Sequence, residues 1–341
     1  MRNLILWMPF IEGGSGADVS TKYLAEIFRS MGIKVNLQKF HSYYQFAPWL
    51  LARVKPPEGT DIILTNSWNG FAFARQGSKL VVVDRLCVHD PSLEPYKGFV
   101  QKVFHNCFVK KFVIASANAA DAVVAVSDYT ASLYPKVLRL AKPKVILNAV
   151  DTSFFKPLEK NHSLSDKIRI LFVGNLSKRK GVDLLAPIMA ELGGGFELYY
   201  TAGLRGNELQ NIEQNMHKLG VLSQEQMREQ YQCADILVFP SRGEGLPRAV
   251  MEALSCGTPV VSSDASSMPE AVDESVGALC PVDDVSSFVN AIQSITLDKN
   301  KYFDLSVNAR NRATERFSLT RMANEYIELF DRLLSVKLEC E

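Results

Sequence analysis

Unbroken apolar runs constrain this chain's fold more than any other feature. LILWMPF (4–10), DIILT (61–65), KLVVV (79–83), AVVAV (122–126) and KVILN (144–148) are stretches of strand length without polar alternation. Such runs suit strands covered on both faces, as in a parallel sheet; a half-solvated strand alternates. Between them the spacing turns helical. Val19 to Met31 sets Leu24, Ile27, Phe28 and Met31 on one side, Gly32 closes the segment, and IKVNLQKF (33–40) reads as the next strand. Strand, helix and strand in repeated order predict an α/β fold with right-handed crossovers.

The pattern restarts after the polar, aperiodic stretch LEKNHSLSD (158–166), where a domain boundary is expected. IRILFVG (168–174), FELYYTAG (196–203), ADILVFP (234–240) and PVVSSD (259–264) then read as strands, and one late helical run extends from about Ala309 to Leu334. The expectation is two doubly wound domains facing a cleft. Ligands of such sheets sit beyond the carboxyl ends of the strands, so the strand-to-helix loops are where chemistry is sought.

With 341 residues the chain has room for two domains. Its 38 Lys and Arg against 37 Asp and Glu leave no charge excess of the kind nucleic-acid binding needs. The six cysteines form no C-x-x-C pair, and most of them read as small buried hydrophobes in a reducing compartment. MRNLILWMPFIEGG reads as a first strand, not a signal peptide, and no apolar run is long enough to span a bilayer. A cytoplasmic location follows as an expectation.

The stretch SRGEGLPRAVMEALSCGTPVVSSD (241–264) places Glu244 in a glycine-flanked loop and Glu252 inside the helix that follows. Pro247 fits the first helical turn, Ala249, Val250, Ala253 and Leu254 form an apolar face, and Gly257 fits the position just beyond the helix. The amides at that helix start suit a phosphate, and Gly245 permits close backbone approach. A carboxylate beside a phosphate site repels the phosphate, so each glutamate needs a partner with donors. Sugar hydroxyls are donors: Glu244 fits those of a transferred sugar and Glu252 those of a ribose. The competing reading is a solvated loop residue and a surface helix charge.

At these residues the sequence resembles the family-four retaining glycosyltransferases of the GT-B fold, which carry an E-x7-E motif. The likeness runs through EGLPRAVMEALSCGTPVVSS, MPEAV (268–272), VGNLSKRKGVDLL (173–185) and LGVLSQEQMREQYQCADILVFPS, and more loosely through GGSG, AVVAVSDYT (122–130) and ILNAVDTSFFKP (146–157). It implies two Rossmann-like domains: residues 1–160 for the acceptor, 161–310 for the nucleotide-sugar donor, and 311–341 as a helix returning to the first domain. It also implies a donor site made by Gly13, Gly14 and Gly16 across the cleft, by Gly174, Asn175, Arg179 and Lys180, and by Gly245, Leu246, Pro247, Arg248 and Glu252. Lys180 matches the family's phosphate lysine. The family's arginine is replaced by Asn175, with Lys178 or Arg179 as the compensating cation. Near the reacting sugar the family places a His; strand length assigns that position to Asp84 and local wording, VHD, to His89. Catalytic roles are thus expected of Asp84 or His89 together with Glu244, with no metal and no cofactor beyond the nucleotide-sugar.

The implied activity is sugar transfer to a glycan or lipid-linked glycan of the cell envelope, in polysaccharide biosynthesis. A GT-B phosphorylase or epimerase, or a non-catalytic sugar-nucleotide-binding protein, is the alternative. Pro95 to Ala120 lacks acids and mixes lysines with phenylalanines, and HSYYQFAPWLLARVK (41–55) is aromatic and basic. These segments read either as a surface for a lipid-linked acceptor or an anionic bilayer at the inner face of the membrane, or as core aromatics with solvated lysine rims.

Overall fold

A computed structural model describes residues 4–13, 16–158, 164, 166–202, 209 and 212–335. The chain divides into two compact units, one formed by residues 1–148 and 319–341, the other by residues 149–318. The crossing points therefore fall at Asn148 and Ser318, earlier than 160 and later than 310. The polar stretch taken as the boundary lies mostly outside the described residues.

In the first unit β1 (Ile5–Ile11), α1 (Gly16–Ser30), β2 (Lys34–Phe40), β3 (Ile62–Asn66) and β4 (Lys79–Asp84) follow in order. Then come α2 (Phe99–Phe104), α3 (Lys110–Ala119), β5 (Ala122–Ala125), α4 (Asp128–Leu133) and β6 (Lys144–Val145). All strand pairs are parallel, in the order β2-β1-β3-β4-β5-β6. The apolar runs fill its middle: Leu6, Trp7, Ile62, Ile63, Val81 and Val124 are fully buried. Each such side chain contributes about 1.5–3 kcal/mol relative to exposure. Pro9 sits inside β1 without breaking the sheet, because the β1–β3 ladder stops at Trp7 opposite Ile63. Beyond it the Thr65 hydroxyl donates to the Pro9 carbonyl (2.8 Å). KVILN yields only the two-residue edge strand β6, the short edge that limits further pairing.

In the second unit β7 (Ile168–Phe172), α5 (Leu185–Leu192), β8 (Phe196–Thr201), β9 (Met216–Gly220), α6 (Gln224–Cys233) and β10 (Ile236–Phe239) come first. They are followed by α7 (Arg248–Ser255), β11 (Val260–Ser263), α8 (Met268–Ala271), β12 (Gly277–Cys280), α9 (Val285–Thr296) and α10 (Lys299–Arg316). The parallel sheet runs β12-β11-β10-β7-β8-β9, so strand order reverses between β7 and β10. The edge strand β9 (MHKLG) carries no apolar run, and β12 (GALC) is only four residues long and lacks β-branched side chains, so the sequence pattern does not reveal them.

The late helical run is two helices. α10 ends at Arg316, and α11 (Leu319–Ser335) starts after a break at Phe317–Ser318. Tertiary packing makes the break: Phe317 is fully buried, its carbonyl accepts the Val150 amide (2.8 Å), and Ser318 bridges Val150. α11 belongs to the first unit, where Tyr326 and Phe330 meet Phe28 of α1 at ring distances of 6.1 and 5.7 Å. The cysteine reading holds for Cys87, Cys256 and Cys280, which are buried; Cys107 and Cys233 are exposed.

Within the second unit α10 is anchored by one guanidinium. Arg310 Nη1 donates to the carbonyls of Thr152, Phe155 and Ser255 at 2.9–3.0 Å. Charge-assisted bonds of this kind contribute about 1.5–3 kcal/mol each at most, and orphaned carbonyls add a penalty. Arg310→Ala is expected to lower the unfolding free energy by about 2–4 kcal/mol, read as a lower denaturant midpoint with an unchanged slope.

Candidate active site

Strand order decides which loops meet. The loop after β7 (174–181) and the loop after β10 (240–247) leave adjacent strands at the point where the order reverses, the position at which open α/β sheets bind ligands. Main-chain and side-chain bonds stitch the loops together. Arg242 N donates to the Arg179 carbonyl (2.9 Å), Ser241 Oγ to the same carbonyl (3.3 Å), and Arg179 Nη1 to the Gly243 carbonyl. Gly181 lets them approach. Its φ is +71°, and a Cβ placed there would lie 1.9 Å from the Pro240 carbonyl oxygen.

At the centre of this knot is Glu244. Its Oε1 accepts Arg179 Nη1 (2.8 Å), Lys180 Nζ (2.7 Å) and Ser241 Oγ (2.8 Å). Its amide donates to Ser266 Oγ (2.9 Å), and Ser267 Oγ donates to its carbonyl (3.2 Å). Burial opposes ionisation of Glu244, but Lys180 and Arg179 outweigh it and hold the carboxyl down at about 2. Burial lowers the Lys180 pKa, with Glu244 pulling the other way. Two cations on one carboxylate leave a positive excess beside the start of α7, whose first-turn amides lack acceptors within the helix. Gly245, Leu246 and Pro247 are buried in the turn between them. Pro247 is the cap residue, with ψ 129°, and not part of the first turn; the carbonyl it presents accepts the Met251 amide at 3.4 Å. Gly257 takes φ +76° after the helix, and Met251 joins the buried face in place of half-buried Ala249.

Glu252, eight residues on, is also engaged. Arg248 Nη2 donates to its Oε1 (2.7 Å) and the Tyr231 hydroxyl to its Oε2 (2.9 Å). Burial raises its pKa, against the pull of Arg248 and Tyr231. Neither glutamate is a solvated surface charge.

The remaining candidates distribute as follows. Gly174 N donates to Thr201 Oγ1 (3.2 Å), and the Asn175 carbonyl accepts the Ser177 amide (2.9 Å). Lys178 is exposed, so Arg179 is the second cation that reaches Glu244. In the first unit Gly13 N donates to Asp18 Oδ2 (2.9 Å) and Gly16 opens α1, while Gly14 lies outside the described residues. Asp84 ends β4 and is buried; its Oδ2 accepts the Tyr134 hydroxyl (2.8 Å) and its Oδ1 the Leu86 amide (3.1 Å). Burial raises its pKa in spite of those donors. His89 is buried too, and its Nε2 has no hydrogen-bond partner. Burial, with help from His105 and nearby lysines, lowers its pKa to about 4, so it is neutral at pH 7.

Sequence reasoning missed the clamp around Arg242. Its Nη1 and Nη2 grip both oxygens of Asp183 (2.8 and 2.9 Å) and its Nε donates to Asp283 (2.6 Å). Those acids lie 59 residues before it and 41 after it, so no local pattern announces them. Gly181 was part of a recognised motif but carried no assigned role.

Residues 167–298, which hold both loops and both glutamates, match the family described as Glycosyl transferases group 1. Over those residues the chain carries this family's sequence pattern, and its architecture is the α/β GT-B fold. It is 27% identical over 319 residues to the alpha-maltose-1-phosphate synthase of Mycolicibacterium smegmatis, covering 83% of this chain and 82% of that one. It spans only about half the length of two other curated relatives, 55% and 47%. The chain shares its fold with a sucrose-phosphate synthase from Thermosynechococcus elongatus (TM-score 0.80, 18% identity, covering 97% of this chain and 100% of that one). The Anabaena protein Alr3699/HepE, solved in complex with UDP-glucose, aligns with TM-score 0.72 and 18% identity over 96% of this chain and 99% of its own.

Two outcomes are expected of this site. Gly181→Ala forces the two loops apart, and its melting temperature is expected to fall by several degrees while far-UV circular dichroism stays native. Glu244 has a folded pKa below its free value of about 4.3. Its stabilising effect is therefore complete above that value and lost as pH falls towards 2. The unfolding free energy of the wild type should drop across that window more steeply than that of Glu244→Gln, measured by denaturant titration at a series of pH values.

Proposed function

We propose that the chain transfers a sugar from a nucleoside-diphosphate donor to a hydroxyl of a glycan or lipid-linked glycan acceptor of the cell envelope, with retention of configuration. The observation that carries this reading is the convergence of Arg179 and Lys180 on the single oxygen Oε1 of Glu244, beside the start of α7. A diphosphate entering this site supplies the anionic oxygens that the two cations and the helix amides seek. The cations then shift part of their charge from Glu244 to phosphate. Glu244, ionised and acceptor-only, is left to take hydrogen bonds from hydroxyls of the sugar. Glu252, held by Arg248 and Tyr231, is placed to accept from the ribose, since each carboxylate oxygen has a second lone pair.

This division of labour supports leaving-group stabilisation by Lys180, Arg179 and backbone amides, with no metal required for that step. A carboxylate tied to two cations is a poor covalent nucleophile, which favours attack on the same face of the sugar, with the departing phosphate removing the acceptor proton. Asp84 or His89 serves the acceptor side. Neutral His89, with an unused Nε2, fits a hydrogen-bond acceptor for the incoming hydroxyl, whose proton goes to the departing phosphate; Asp84 already receives Tyr134. The role of Arg179 answers the departure at Asn175: the second cation comes from four residues further along the same loop.

The test pairs a binding and a turnover readout. Thermal shifts with UDP-, GDP- and ADP-sugars identify the donor, since a ligand of the folded state raises the melting point. With that donor, Glu244→Gln is expected to lower donor hydrolysis or transfer about 100-fold or more, and Glu252→Gln to weaken donor affinity about tenfold. Product anomers read by NMR should match the donor's configuration, with and without chelator. Full turnover and unchanged donor affinity in Glu244→Gln would overturn the assignment, and donor binding without any turnover would leave a binding protein.

A further inference from the structure

The first unit has a strand-order reversal of its own. Its sheet runs β2-β1-β3-β4-β5-β6, so the order turns between β1 and β3. Open α/β sheets hold ligands beyond the carboxyl ends of their strands at such a point. A pocket lies there. It is lined by Phe10 of β1, Thr21 of α1, Thr65 and Asn66 of β3, Val83 of β4 and Arg85 just beyond β4. The Glu244 cluster belongs to the other unit and uses none of these residues.

Arg85 sets the character of the pocket. It is half-buried, and burial lowers its pKa, with Tyr326, Asp18 and Asp84 pulling the other way. Among the described residues no acid forms an ion pair with it. Asp84 receives the Tyr134 hydroxyl and the Leu86 amide, and Asp18 receives the Gly13 amide. The hydrogen-bond partner of Arg85 is Asn66, whose Oδ1 accepts from Nη1. Other guanidiniums drawn out of water are matched more fully. Arg242 has Asp183 and Asp283, and Arg248 has Glu252. Arg75 has the carbonyls of Ala52, Val54, Ala72 and Ala74. A cation withdrawn from water without an acid is unfavourable until a counter-charge arrives.

The bond to Asn66 also orients the carboxamide. With Oδ1 given to Arg85, the Nδ2 hydrogens remain as donors. Arg85 and Asn66 thus line the pocket as two neighbouring donor groups, one of them charged. An oxyanion satisfies both, because the guanidinium fork matches two oxygens of a carboxylate or phosphoryl group. A neutral hydroxyl leaves the charge unmatched. Phe10 and Val83 keep the surroundings apolar, which strengthens the attraction.

We infer that this pocket binds a small oxyanion, a phosphoryl or carboxylate group, through Arg85 and Asn66. The group belongs to the acceptor, an assignment that rests on the sugar-transfer reading, and the acceptor is then a phosphorylated or acidic sugar.

Thermal shifts of the full chain with glucose 6-phosphate, glucuronate, inorganic phosphate and glucose test it. The wild-type melting temperature is expected to rise with glucose 6-phosphate or glucuronate and not with glucose; which of the two acts separates phosphoryl from carboxylate. Arg85→Gln removes the charge, and Asn66→Asp supplies the missing acid. Each is expected to raise the probe concentration needed by about tenfold or more. Neither is expected to lower the melting temperature of the unliganded protein, since each relieves an unpaired cation, and the donor-induced shift is expected to stay unchanged. No response of the wild type to either sugar-borne anion, a response to inorganic phosphate alone, or an equal response in both variants overturns the site. So does a lower melting temperature in both variants, which marks Arg85 as a structural bridge. Loss of the donor-induced shift in both variants gives the pocket to the donor and overturns the acceptor assignment. A donor-induced shift missing from the wild type counts against the sugar-transfer reading instead, while the anion response still decides the pocket.

Discussion

The parallel pairing of β7 with β10 is the constraint on which the site depends. Ile236 and Leu237 align with Ile170 and Leu171, and all four are buried. That register brings two loops separated by about sixty residues together at the carboxyl ends of the central strands. The contact of Gly181 with Pro240 then fixes how close they come, because any side chain at Gly181 would collide with backbone. Burial of apolar strands thus does work that looks, from the site, like catalytic design. The aliphatic side chains supply the energy, and the polar groups inherit a geometry they did not create.

The cluster around Glu244 shows why that geometry is needed. A buried carboxylate alone is unfavourable by several kcal/mol, and so is a buried ammonium. Together, with Ser241 and the main chain filling the remaining positions, they are tolerable. Arg242 repeats the device one residue from Ser241, with Asp183 and Asp283 as its acids. The two clusters differ in kind. Arg242 has two carboxylates for one cation and serves as a structural rivet; Glu244 has two cations for one carboxylate and so keeps a positive surplus. Only the second is suited to an incoming anion.

Much of this was legible in the sequence because the elements concerned obey local rules. Continuous runs such as KLVVV and ADILVF gave the central strands, and Gly257 marked the end of α7. The features that escaped it are set by partners distant along the chain. β9 is an edge strand whose polar composition resembles loop, and β12 is a four-residue edge strand with no β-branched side chain. The helix break at Phe317 exists because a buried ring and the Val150 amide hold it; periodicity reads straight through. Pro247 caps α7 instead of entering it, its backbone still extended at ψ 129°. At the candidate site, residue types were visible and their partners were not: nothing local links Arg242 to Asp283.

The position of Asn175 sharpens that last distinction. Aligned by wording, the loop lacks a cation where the family carries one, and a strict reading of the motif weakens the donor site. In space, the 3₁₀ turn at Lys178–Lys180 carries Arg179 and Lys180 to the same carboxylate oxygen, while Lys178 faces solvent. A phosphate responds to charge and distance, not to sequence register, so a guanidinium displaced by four residues does the same electrostatic work if the turn delivers it. The turn can do so because Gly181 ends it in the left-handed region, at φ +71°. The position of the arginine therefore depends on the glycine: a side chain at Gly181 would collide with the Pro240 carbonyl and shift the turn that carries Arg179.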